Sequence, residues 1–479
     1  MKKILLVLLL LIVAALVALP YYFGMKAEKQ YHNIIAKIKE SGNITVIKEN
    51  YERGIFNSTA KTSIELKQSS RQVTVNSTDY IVHGPLDFLE FKKGNFNFNT
   101  FIAKVDSKAT IKIPVTTSTG EKKSIEIKSE GTTDIGFDGE VESRYVIPKY
   151  KIIKKKENLV INWSGLELNF IYNHKTKKLS SYFESESLQI TDPDITLIVN
   201  SITGKSNTSD INQNLQSLTG DFEMKIDSVK LDSVDSKINL NNIKFSGFSK
   251  TDQDKLQMGF KLTGDEMVFN ENKFTQLTYD ISIRDIDSAT WLKLQQTANT
   301  IKGNENKMEQ GMQIMGILPE LVKHSPVIEI KELSLKSDMG NLNASAKVKI
   351  NGDKPELLQN ILLIGNAIEA EASVIASKSL VEFYIDKAEA QSDQQNSLQI
   401  DKDKQSNSLD LEQDFIDNEM AEKLPKKEPE LDNRSKLQEL IDNDYITSDD
   451  KNFIFKATLK SGQVTVNGKP MALTPMLFQ

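Results

Sequence analysis

Past residue 44 the chain alternates apolar and polar positions with a period of two. Val73/Val75, Ile111/Ile113/Val115, Ile125/Ile127, Leu166/Leu168/Phe170/Tyr172 and Leu342/Ala344/Ala346/Val348/Ile350 all follow it. Successive side chains of a strand point to opposite faces, so the pattern predicts antiparallel strands with one apolar and one polar face. A second regularity interrupts the first. Met224/Ile226/Val229/Leu231, Ile238/Leu240/Ile243/Phe245 and Ile328/Ile330/Leu333/Leu335 step by two, then three, then two. An odd step flips the apolar face unless something restores it. A β-bulge does so by adding one residue, which bends the strand. The alternative is a short turn between two strands. No Gly or Pro occupies Asp227–Ser228 or Lys331–Glu332, which favours the bend; Asn241–Asn242 is more turn-like. Long bent strands of this kind predict a large curved antiparallel sheet, either closed over its own core or open as an apolar trough.

Helical spacing is confined to a few stretches. Ser288 is placed to cap a helix carrying Trp291, Leu294, Ala298 and Ile301. Met312, Met315, Leu318 and Val322 form a second stripe, more suited to core filling than to binding. Further helices are expected near Pro355, with the run Leu357–Ile364, and over Ser379–Ala388. Strands resume at Phe453/Phe455/Ala457/Leu459 and Val464/Val466, with turns at Ser461-Gly462 and Asn467-Gly468. The fold class is therefore mainly β with some α: a large β-rich domain over 26–385, with helices near 288–322 and 355–388, and C-terminal strands over 451–479.

The amino-terminal region follows a different rule. Ile4 to Leu19 is an unbroken apolar run, and Pro20, Tyr21, Tyr22 and Phe23 extend it to 20 residues without a charge. A helix of about 20 apolar residues crosses a bilayer. Residues 1–25 are thus expected to form a cytoplasmic tip and a transmembrane anchor. Ile4, Leu10, Leu19 and Phe23 belong to this anchor, and Tyr21 and Tyr22, also part of it, sit where an aromatic belt would lie. Lys2 and Lys3 favour a cytoplasmic amino end, with the bulk on the far side of the membrane. A cleaved signal peptide is the alternative. It needs small residues at −3 and −1, and the available pairs, Leu16/Ala18 and Tyr22/Gly24, lack them. Met25–Glu40 continues as a helix, with Tyr31, Ile34, Ile35 and Ile38 on one stripe. That stripe packs on the domain or, in the other reading, meets a partner or lipid.

Composition sharpens this picture. The net charge of −6 is uneven: Asp386–Asp450 holds 19 acidic and 8 basic residues, a net of −11, which leaves +5 for the rest. That segment, 386–450, has few large apolar residues. It reads as an acidic mobile or partly helical insert, with short helices near Leu411–Lys423 and Leu431–Ile441. Neither part is basic enough for nucleic acid. There is no cysteine, which excludes disulfides, thiolate metal sites and cysteine nucleophiles. The four histidines, His32, His83, His174 and His324, match no metal-ligand spacing. Phosphate-loop, Gly-x-Ser-x-Gly, His-Glu-x-x-His and EF-hand patterns are missing. The expectation is no catalytic residue, no cofactor and no metal.

Two short motifs remain. In Asn50-Tyr51-Glu52-Arg53-Gly54-Ile55-Phe56, Arg53 is a candidate for a phosphate or carboxylate headgroup. The competing and favoured reading puts Tyr51 and Phe56 in the core, with Gly54 at a bulge. In His83-Gly84-Pro85 the histidine is a candidate general base without an evident partner; a hydrogen-bonded imidazole in a turn is favoured.

These motifs, with the apolar start, Ile286-Asp287-Ser288-Ala289-Thr290-Trp291, Pro326-Val327-Ile328-Glu329-Ile330 and Gly462-Gln463-Val464-Thr465-Val466-Asn467-Gly468, resemble in order the YdgA-like family of Gram-negative envelope proteins, a domain of unknown function. The resemblance spans nearly the whole chain. It departs around Ala390–Asp410, where the insert is longer and more polar. It implies an inner-membrane anchor, a periplasmic domain and no established activity. More distantly, the chain is similar to anchored β-groove proteins that move lipids across the periplasm. The expected function is a non-enzymatic, membrane-anchored periplasmic protein that binds lipid or an envelope partner along a curved β surface. The alternatives are a membrane-tethered hydrolase using His83 and an envelope scaffold that docks through its acidic segment.

Overall fold

The computed structural model describes residues 2–40, 44–68, 71–88, 90, 93–94, 100–116, 122–154, 158–209, 219–234, 236–301, 316–317, 319–353, 366–389 and 433–471. The protein is mainly β and antiparallel, and it forms two compact units.

The first unit comprises Met1–Glu271 and Ser288–Ile314. It opens with α1 (Lys2–Glu40). A meander follows: β1 (Ile44–Arg53), β2 (Asn57–Gln68), β3 (Arg71–His83), β4 (Ala103–Thr116), β5 (Lys122–Ile135) and β6 (Glu140–Ile147), each paired with the next. Next come β7 (Tyr150–Lys154), β8 (Leu159–Trp163), β9 (Leu166–Asn173) and β10 (Lys178–Thr191). β6 pairs with β9 and β7 with β8, while the single strand β10 pairs with both β8 and β9. Two broken strands thus lie beside one continuous strand. The meander resumes with β11 (Ile195–Ser209), β12 (Thr219–Ser233), β13 (Lys237–Asp252) and β14 (Lys255–Phe269).

The break between β8 and β9 continues across the long strands. Ser185 pairs with Ile202 and Ser187 with Asn200; Ile202 pairs with Ile226 and Asn200 with Ser228; Ile226 pairs with Ile243 and Ser228 with Asn241. Each strand skips one residue at the same level, so no register is lost. Ser201 and Asn242 take φ of 50° there, and Gly165, between β8 and β9, takes 99°. β12 and β13 are single long strands, but the bulge expected in them is absent. When neighbouring strands all kink at one level, facing side chains stay matched and no inserted residue is required. The crease is bridged by the amides of Asn200, donating to Ser228 Oγ at 2.9 Å, and Asn242, donating to Asp265 Oδ2 at 2.8 Å.

The second unit comprises Asn272–Asp287 and Met315–Gln479. Its strands are β15 (Asn272–Asp287), β16 (Val327–Ser337), β17 (Gly340–Ile350), β18 (Ile368–Ser377), β19 (Thr447–Ser448), β20 (Asn452–Lys460), β21 (Gln463–Val466) and β22 (Lys469–Met471). They pair in the order β15, β16, β17, β18, β20, β21, β22, with the two-residue β19 also on β20. Here the odd step is a bulge as expected: Ile330 faces Ala346 but Leu333 faces Ala344, so β16 carries an extra residue at Lys331–Glu332. Ser461-Gly462 and Asn467-Gly468 both adopt positive φ (50° and 76°, 46° and 82°). Positive φ at both central residues is the type I′ geometry of a two-residue hairpin.

Helices form over Ser288–Ile301, over 378–389 and over Asn433–Asp442, the last close to the expected Leu431–Ile441. Met312, Met315, Leu318, the Pro355 and Leu357–Ile364 stretch and Leu411–Lys423 lie outside the described residues; Val322 is buried. Among the described residues no helix is long and apolar enough to cross a membrane. Side chains are described in α1 from Val17 onward, so those of Ile4 and Leu10 fall outside that description.

Candidate functional site

Two surfaces of the first unit bring chemistry-bearing or apolar residues together. One is the junction between α1 and β1–β3. The helix presents Pro20, Phe23, Gly24, Ala27, Tyr31 and Ile35 at helical spacing. Phe23, expected in the membrane anchor, is only 9% exposed and meets the Phe137 ring edge-on at 5.6 Å. Tyr21 and Tyr22 stay exposed, as does Leu19. Ile34, expected on the packed stripe, is 56% exposed, because it lies a third of a turn away from Ile35. Tyr31 stacks near Tyr51 at 5.2 Å and hydrogen-bonds Thr62 Oγ1 at 2.9 Å. Ala60, Ile81 and Ala103 form the core beneath, packed by Ala27, Tyr31, Tyr51, Val105 and Ile135.

The two sequence motifs converge here. His83 ends β3 with 1% exposure. Its Nδ1 donates to the Ile55 carbonyl at 3.0 Å, and Nε2 lies 2.9 Å from Ser58 Oγ. A carbonyl only accepts, so a proton sits on Nδ1, and in the neutral ring Ser58 donates to Nε2. The imidazole is the neutral tautomer. Burial pushes its pKa down, the Arg53 cation adds to this, and the bond to Ile55 opposes it. Gly24 of α1 lies against the ring: a Cβ there would come 2.4 Å from Cε1. Arg53 Nη1 donates to Glu28 Oε2 of α1 at 2.9 Å, and its guanidinium sits 5.0 Å above the Tyr21 ring. Gly54 N–H closes a turn onto the Asn57 carbonyl, and Phe56 packs on Phe88. Gly84 donates to the Ile102 carbonyl, and the peptide to Pro85 is cis. A Cβ at Gly84 would fall 1.8 Å from the Phe101 carbonyl oxygen, so only glycine fits.

His83 therefore has a partner that the sequence reading lacks, Ser58, which is also 1% exposed. A hydroxyl donating to an imidazole is the connectivity of a nucleophile and base. In this conformation the pair is sealed beneath Gly24, and Arg53 is engaged with Glu28, so no substrate carbonyl reaches it. The available signal was the small pair Ser58 and Ala60, on one strand face where a helix backbone comes close.

The second surface is the face of β8–β14 that carries the apolar alternation. Register places its side chains in rows across the strands. Ile161, Ile190, Leu197, Leu231, Ile238 and Phe269 make one row. Trp163, Leu188, Val199, Val229, Leu240 and Met267 make the next. Beyond the crease, Leu168, Phe183, Gly204, Met224, Phe245 and Leu262 make another, with Phe170, Phe222 and Phe260 alongside. Phe183 lies over Gly204 and Phe222 over Gly247, each an aromatic ring covering the glycine directly opposite. Trp163 Nε1 donates to Ser185 Oγ, which donates to the Gly165 carbonyl, locking the crease. These apolar side chains are half-buried, and Phe222 is 42% exposed. Ile243 and Leu256 on the same face are buried, at 8% and 1% exposed, while the rows named above stay only partly covered by the described residues. Partly covered apolar rows of this extent are unusual for a sheet of this length.

Among the described residues no group of three or more His, Asp or Glu side chains could hold a metal ion. The fold and these two surfaces define a large antiparallel β protein led by a long helix docked on its first strands. A family model described as a bacterial protein of unknown function (DUF945) matches residues 1–474, and the chain belongs to this family. The match supports a bacterial family of unknown function, and not the YdgA-like name. No curated protein and no solved structure matches the chain.

Proposed function

We propose that this protein is a non-enzymatic, membrane-anchored envelope protein that holds lipid acyl chains on the apolar face of β8–β14. The half-buried rows on that face carry the reading. A Val, Leu, Ile or Phe gains about 1.5–3 kcal/mol on complete burial, so a face of them left half-covered withholds on the order of 10 kcal/mol. A hydrocarbon ligand recovers that energy without asking for hydrogen bonds. The apolar run Ile4–Leu19, continuous with the docked part of α1, supports a source of such ligand within reach. In this reading the anchor spans the inner membrane, the bulk is periplasmic, and the YdgA-like resemblance and the curved trough belong to the same proposal. The hydrolase alternative draws little from a sealed Ser58–His83 pair. The docking-tail alternative concerns the acidic segment 386–450, of which 390–432 lie outside the described residues.

The test uses the full chain extracted from bacterial membranes in mild detergent, with lipids identified by mass spectrometry. Wild type is expected to retain more acyl lipid than Met224→Lys/Leu240→Lys, which puts two cations on the face. Equal lipid in both proteins overturns the reading.

A further inference from the structure

We infer that the joint between α1 and β1–β3 is a pH-sensitive clasp, in which neutral His83 holds the helix docked and protonated His83 releases it. This rests on the geometry of the junction and not on lipid binding.

Both ring nitrogens are engaged inside the joint, and burial favours the neutral ring. Nδ1–H donates to Ile55, and Nε2 accepts from Ser58. A proton on Nε2 turns that acceptor into a donor, which the Ser58 hydroxyl can accept only by turning its own proton elsewhere; the penalty is the buried charge itself. The new charge would sit with 1% exposure, its ring face closed by Gly24 of α1. Among the described residues, the charged and titratable groups around the junction offer it no carboxylate partner. From β1 come Arg53, a cation that repels it, and Tyr51. From α1 come Tyr21, Tyr31, His32, whose ring lies 6.3 Å from that of Tyr51, and Glu28, and the Glu28 carboxylate is held by Arg53 at 2.9 Å. From β2 comes Ser58. A buried imidazolium without a carboxylate partner is expelled or solvated. The cheapest way to let water reach the ring is to lift the Gly24 turn of α1, because Gly24 contributes no side chain to the contact.

The sign follows from linkage. The docked state lowers the histidine pKa below its usual 6.5, so the undocked state binds the proton more tightly. Docking is complete above about pH 6.5 and is lost as pH falls from there toward the docked-state value, by up to about tenfold per pH unit. The joint sets how the helix meets the sheet, so its release changes how far the sheet can move relative to whatever holds the amino-terminal run.

The absence of cysteine permits clean labelling. Gln30 on α1 and Lys61 on β2 are both exposed. Spin labels on Gln30→Cys/Lys61→Cys of the full chain report the helix–sheet distance by pulsed electron paramagnetic resonance. The expected result is one narrow distance at pH 7.5, joined below pH 6.5 by a broader population that grows as pH falls. Selective 13Cε1-histidine labelling gives four resonances, and the one lost in His83→Gln is expected to titrate with the distance change. His83→Gln, which cannot take up a proton, is expected to keep one distribution from pH 7.5 to 5. An unchanged wild-type distance across this range overturns the clasp. So does a pH response that persists in His83→Gln. If His83→Gln fails to dock at pH 7.5, the wild-type readouts decide: a His83 titration that does not coincide with the distance change overturns it.

Discussion

The junction under α1 and the apolar face of β8–β14 belong to the same unit and share the same strand alternation, yet they are finished differently. At the junction, alternating positions are small: Ser58, Ala60 and Ala103 let the Gly24 turn of a helix approach, and Ala60 is fully buried. On the long strands the matching positions are large: Leu197, Met224, Leu240 and Phe245 stand half-covered. Small residues admit a protein layer at close range; large ones fill the space such a layer would take. Alternation alone therefore predicts a sheet with an apolar side, while residue size on that side distinguishes a covered patch from an open one.

Variants separate the two regions by what they damage. Gly84→Ala places a Cβ 1.8 Å from the Phe101 carbonyl oxygen and is expected to cost about 3 kcal/mol or more, read by denaturant unfolding, with lipid retention per folded protein unchanged. Ser58→Ala strands the buried acceptor Nε2 of His83 and is expected to cost about 1–3 kcal/mol. Its loss should be concentrated in faster amide exchange along α1 from Phe23 to Ile35. Met224→Lys/Leu240→Lys acts in the opposite sense. Met224 and Leu240 are partly covered and not core-buried, so the unfolding midpoint should move less than for a core substitution, while bound lipid falls about tenfold, equivalent to about 1.4 kcal/mol. If that pair unfolds the protein instead, the face is a core and the contrast fails.

The smallest effect concerns neither region. On the polar side of the long strands, Glu223 accepts from Lys244 at 2.9 Å, with Lys205 and Lys225 at 3.5 Å, and its pKa is pushed down to about 2, first by the Lys244 bond. A lowered carboxylate contributes stability present above its usual 4.5 and lost as pH falls toward about 2. Glu223 is partly exposed and its three lysine partners are exposed, so salt screens the contribution. Glu223→Gln is expected to flatten the acid limb of thermal stability slightly, and to leave lipid binding and the α1 distance untouched.

The fold was legible wherever the information is local. Period-two runs located the long strands, Ser288 marked its helix, and Ser461-Gly462 and Asn467-Gly468 marked their hairpins. The step of three was legible as a bend but not as a mechanism. At Lys331–Glu332 it is a bulge, because β17 does not kink with β16. Across Glu186, Ser201, Asp227 and Asn242 it is a crease, because every neighbour kinks together. Which of these occurs depends on strands far apart in sequence, and one strand cannot show it. The same limit hid Ser58, 25 residues from His83, and it placed Phe23 in the membrane when its partner was Phe137.

The central claim is that the apolar face of β8–β14 holds lipid. Lipid mass spectrometry on the full chain, wild type against Met224→Lys/Leu240→Lys, tests it most directly, because both proteins carry the same amino-terminal run and hence the same background of loosely held lipid. Wild type is expected to carry an acyl lipid enriched about tenfold over the double variant. Equal lipid on two equally folded proteins would contradict it.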